Sequence, residues 1–155
     1  MISDSTKTIL VNTVKEWNKF STELNKYTQV ANEIATIARK VILEQLQFLK
    51  AQNIDVQADN PDAMKMMNVP IQVLPMIEAM FPNVKGSVLL KCAGAARMIV
   101  INPNFSISAG GTPVSFDQLQ RMVPDSFASN AAEFVRDAFL NVARTGGKES
   151  APAQP

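Results

Sequence analysis

The longest regular pattern of apolar and polar positions runs from residue 5 to residue 51, with no proline or glycine inside it. Two rows recur at seven-residue spacing: Phe20, Tyr27, Ile34, Val41 and Phe48, and beside it Trp17, Leu24, Ala31, Ala38 and Gln45. Their alternating three–four offsets form a coiled-coil seam, because 3.6 residues per turn bring such positions onto one helix face. Val30, Ile37, Ile42 and Leu49 widen the stripe to the breadth found in helical bundles. A helix of this length would measure about 68 Å at 1.5 Å per residue. It needs a packing partner along much of that length, since propensity alone holds helices weakly in water. Asp4 or Ser5 can cap its start. Ala31, Ala35 and Ala38 leave room for another helix at mid-length.

Beyond residue 51 the pattern breaks into short pieces. Residues 52–60 read as a connector, and Asn60-Pro61 as a cap and first turn of a short helix through Met67. Pro70, Pro75 and Pro82 divide the next stretch, with Pro75 placed to open a helix through Phe81. This segment is rich in methionine, which fills irregular gaps and also lines adaptable grooves. Met64, Met67, Met76 and Met80 are therefore candidates to hold a partner helix. Ser87 can cap a helix carrying Val88, Leu89, Cys92, Ala95, Ala96 and Ile99, with Gly94 admitting a close neighbour. The end of that stretch reads differently: Met98–Ile101 and Phe105–Ser108 flank the turn Asn102-Pro103-Asn104 as a small hairpin. Ser115 and Gln118 form a capping-box pattern for a helix to about Val123. The last helix starts at Ser126 or Asn130 and buries Ala131, Phe134, Val135, Ala138, Phe139 and Val142. It stops at Arg144–Gly146.

The expected fold is thus mostly α: a long amphipathic N-terminal helix packed on a compact region of short helices, with one small β-hairpin allowed. The expected organisation is a single helical domain over 1–147, comprising helix 5–51, connector 52–60 and short-helix region 61–145. A flexible tail over 148–155 completes the chain.

Composition adds mainly exclusions. With 155 residues, 46% hydrophobic and 19% charged, the chain suits one globular domain. Fifteen basic against 14 acidic residues leave a net charge of +1, which neither steers the whole molecule to nucleic acid nor opposes self-association. No stretch approaches the length of a membrane span, and residues 1–10 do not read as a secretion signal. Cytoplasm, or the interior of a macromolecular assembly, is the expected location. The chain has no histidine and one cysteine, so a zinc site of cysteines and histidines or a Ser-His-Asp triad cannot be assembled. Cys92 reads as a buried packing thiol, Glu133 and Asp137 as a solvated helix face, and Lys85, Lys91 and Arg97 as solvent-facing charges.

No cofactor, metal or catalytic residue is expected, and an enzyme is not the favoured reading. The favoured one is a structural or assembly protein that self-associates through Trp17, Phe20, Leu24, Tyr27, Ile34, Val41 and Phe48. The alternative is a binding module or chaperone that holds a partner helix in the Met-rich groove. The expected partner is a second copy or another protein; nucleic acid is not favoured, and no membrane span is expected.

Overall fold

The computed structural model describes residues 1–146. The first element agrees with the apolar pattern: α1 runs unbroken from Asp4 to Ala51, 48 residues. Its cap is Ser3, one position before those expected; the side-chain oxygen accepts from the Thr6 N–H at 3.3 Å. That satisfies one of the N–H groups that the first turn leaves without an intrahelical partner.

The chain beyond α1 does not form a set of short helices. The structure is 51% helical and 25% strand, with antiparallel sheets of three and five strands, so the mostly-α reading and the all-alpha helical bundle are corrected. The smaller sheet is built from β1 (Val56–Gln57), β2 (Lys65–Met66) and β3 (Val69–Pro70). The larger is a meander of β4 (Gln72–Met80), β5 (Asn83–Cys92), β6 (Ala95–Ile101), β7 (Ser106–Ser108) and β8 (Val114–Ser115), in that order.

Three sequence expectations change accordingly. The helix through Met67 is replaced by a turn and β2. The helix from Pro75 is replaced by the outer half of β4, an edge strand, where a residue without an N–H is tolerated. The helix after Ser87 is replaced by β5 and β6. They are joined by Ala93 (φ 52°) and Gly94 (φ 83°), a turn with two positive φ values that matches strand twist. Gly94 serves that turn. The hairpin expected around Asn102-Pro103-Asn104 is present as β6 and β7, with Ile101 opposite Ile107.

The two long helices cover one face of the meander. α1 lies over β4 and β5, α3 (Asp125–Thr145) lies over β6, and the helices touch each other. The covered face carries Val73, Val88, Leu90, Ile99, Ile101 and Ile107, all buried with Ile34, Ile42 and Leu46 of α1 and Phe134 and Val142 of α3. Period-2 alternation along the strands and period 3.6 along the helices thus meet in one core. Ala31, Ala35 and Ala38 are fully buried in the core that α1 shares with the sheet and α3.

The remaining pieces close the ends. α2 (Phe116–Arg121) carries the expected capping box between Ser115 and Gln118, and stops two residues short of Val123. α3 begins after Pro124 with no side-chain cap, so neither Ser126 nor Asn130 caps it. It ends at Gly146 with φ 68°. Residues 148–155, read as a tail, lie outside the described residues.

Candidate interaction site

The seam identified in the sequence is divided by the fold. Tyr27, Ile34 and Val41 are buried in the core shared with the chain's own sheet and α3, Phe20 is buried beside Phe81, and Leu24 is half-buried. Only the two ends reach solvent: Trp17 is 56% exposed and Phe48 66%. The middle of the stripe therefore holds the fold together.

Upstream of Phe20, every residue of α1 is exposed. The helix continues past the body as an arm, Asp4–Lys19, about 24 Å long at 1.5 Å per residue. Leu10, Val14 and Trp17 stand at i, i+4 and i+7 along it, with Ile9 alongside, all largely exposed. Leu10 extends the row of Trp17, Leu24 and Ala31 by one heptad, so the same face that is buried further along is bare here. The expected seam omitted Ile9, Leu10 and Val14. The seven-residue continuation of the Trp17 row points to Leu10, and Val14 stands one helical turn from it.

The root of the arm is braced by the tip of the β4–β5 hairpin. Phe81 stacks on Trp17 with 6.1 Å between ring centroids and meets Phe20 edge-on at 5.2 Å. Farther along, Tyr27 packs on Phe105 at 4.7 Å, with the Lys26 ammonium 4.2 Å over the Phe105 ring. Burial pushes the Tyr27 phenol above its ordinary pKa, and the Glu23 carboxylate adds to the effect.

At the opposite end of α1 a groove of about 460 Å³ opens between α1 and α3. Its floor is Gln45 and Leu49 from α1 with Val135 and Phe139 from α3; its rims are Glu44 and Phe48 on one side and Ala132 and Arg136 on the other. The Gln45 amide donates to the Ala128 carbonyl at 2.9 Å, tying the two helices at the groove's end.

The four candidate methionines do not come together. Met64 is 3% exposed in the core, Met67 sits at the β2–β3 turn with φ 55°, and Met76 and Met80 lie on the outer side of β4. That outer side is itself apolar: Leu74, Leu89 and Met98 are in register, as are Met76, Ser87 and Val100.

The charged candidates are more engaged than a solvated face. Arg97 projects from β6 to Asp137 at 2.9 Å and Glu133 at 3.6 Å, joining the sheet to α3. Hydrogen bonds from Arg136 and then Arg97 hold the Asp137 carboxyl below its ordinary pKa. Lys85 and Lys91 are exposed, as expected. Cys92 is buried, its Sγ 3.9 Å from the Val69 carbonyl. Among the described residues no group of three or more acidic or cysteine side chains is placed to hold a metal ion, and no helix is long and apolar enough to cross a membrane.

No protein-family model matches the chain, and no curated protein or solved structure shows significant similarity to it.

Proposed function

We propose that the protein is a structural or assembly component that associates with further copies of itself through the exposed arm of α1. One observation carries this reading: α1 continues for about four turns beyond the body, and over about two of them its apolar face is bare, bearing Leu10, Val14 and Trp17. Contiguous exposed apolar surface of this kind is characteristic of interaction sites. Spacing at i, i+4 and i+7 is the anchor pattern by which a helix lies against an apolar partner. A net charge of +1 opposes neither contact nor growth.

The test is absolute mass by light scattering after size exclusion, across concentration, for the whole chain and for the double variant Leu10→Glu, Val14→Glu. The whole chain should exceed its 16.9 kDa and the variant should return to it. Equal masses for the two proteins would sink the proposal.

A further inference from the structure

We infer that the arm of one copy docks in the groove between α1 and α3 of the next, a deepening of the proposed self-association that rests on that reading. The groove's length and the arm's anchor spacing agree. From Ala132 to Phe139 the groove tracks seven residues of α3, and from Leu10 to Trp17 the arm presents seven residues, each about 10.5 Å of helix. Both surfaces are apolar at their centre, with Leu49, Val135 and Phe139 on one and Leu10, Val14 and Trp17 on the other.

The margins are complementary in charge. Helical rotation of 100° per residue places Lys7 on one flank of the Leu10–Val14–Trp17 stripe, about 50° from its centre. The groove carries Glu44 on its α1 rim and Arg136 on its α3 rim. In one direction of docking, Lys7 meets Glu44, and in the other it meets Arg136. In the reverse direction like charges face each other, so the margins select a single polarity.

The arm cannot fill its own groove. Leu10 and Phe48 sit on the same unbroken helix, 38 residues or about 57 Å apart. Docking is therefore between copies and heterologous: each copy offers an arm at one end and a groove at the other. Such contacts propagate into a ring or an open chain instead of closing as a two-fold dimer.

The decisive experiment mixes two full-length variants with complementary defects. Leu10→Glu removes the arm's anchor and keeps the groove; Phe48→Glu puts a charge on the groove rim and keeps the arm. Both sites are exposed, and circular dichroism verifies that each variant is folded. Each variant alone should sediment at 16.9 kDa, and their equimolar mixture at twice that mass, one intact arm in one intact groove. If Phe48→Glu assembles like the unaltered chain while Leu10→Glu does not, arms pair with arms; the groove assignment is then wrong and the proposed self-association stands. Two single-chain variants that stay apart on mixing also overturn the assignment. An unaltered chain that never exceeds 16.9 kDa overturns the self-association itself. A charge exchange gives a second readout: Glu44→Lys should weaken assembly about tenfold, and adding Lys7→Glu should restore it. No rescue would count against the stated polarity.

Discussion

Replacing Ile34 by alanine should destabilise the fold severely and leave the arm untouched, whereas replacing Leu10 by alanine should do the reverse. Both positions belong to the apolar face of one helix, yet Ile34 is fully buried and Leu10 is half exposed. Ile34→Ala deletes three carbon groups from the core, about 2.4 kcal/mol of transfer free energy at roughly 0.8 kcal/mol each. The cavity left between α1 and the sheet adds to this, and comparable core truncations cost about 2–5 kcal/mol. At about 2–4 °C per kcal/mol for a chain of this size, the melting temperature should fall by roughly 4–20 °C. Leu10→Ala removes no core contact and should change stability by no more than about 0.5 kcal/mol. The assay is denaturant unfolding monitored by circular dichroism, at a dilution where the mass is that of one chain. Association would otherwise stabilise the folded state by mass action. A loss below about 1 kcal/mol for Ile34→Ala would refute the assignment of the seam's middle to the core. A loss above about 2 kcal/mol for Leu10→Ala would show that the arm packs on its own body.

Two further outcomes rest on particular contacts. In Gly86→Val the new Cβ would lie 3.0 Å from both Ile101 Cδ1 and Tyr27 Cδ1, so overpacking should cost about 1–3 kcal/mol, measured by the same unfolding assay. An unchanged midpoint would mean that α1 lifts freely from β5. The depressed pKa of Asp137 makes its contribution fully present above the ordinary value of 3.8 and lost as pH falls through the lower folded value. Asp137→Asn should therefore be less stable than the unaltered chain at neutral pH, with the difference vanishing in acid. A difference that persists at the lowest pH would assign the effect to packing instead of charge.

The long helix was legible because one signal, apolar recurrence every three to four residues without proline or glycine, extends from residue 5 to residue 51. The sheet was illegible for identifiable reasons. Val88, Leu90 and Cys92 face the core, but Leu89 on the opposite side is also apolar, so alternation reads as a continuous run. Ala93, Gly94, Ala95 and Ala96 have the composition of a helix, and only the positive φ at Ala93 and Gly94 turns them into a hairpin. Pro75 suggests a helix start unless its strand is known to be an edge, which depends on contacts distant in sequence. The capping box at Ser115 and the stop at Gly146 are local devices and were legible. The candidate site was half legible. The stripe was visible, but not its division: upstream of Phe20 every residue of α1 is exposed, while at the other end Phe48 is rotated off a face on which Leu46 is still fully buried. The groove needs α1 and α3 side by side, and no local pattern announces that.

The continuity of α1 from core to arm has a consequence for how the arm recognises anything. A separate segment of 16 residues, Asp4 to Lys19, would be a marginal helix in water, because its first turn must fix several dihedrals for a single hydrogen bond. Here the nucleus lies in the packed half of the same helix, held by Tyr27, Ile34 and Ile42. The arm only has to propagate, one hydrogen bond per residue fixed, towards the Ser3 cap. A partner of the proposed kind would thus meet a helix already formed, and the ordering of about 1–2 kcal/mol per residue that a disordered segment would incur on binding has been met during folding. The protein's core is, in this sense, the template that keeps the arm in shape.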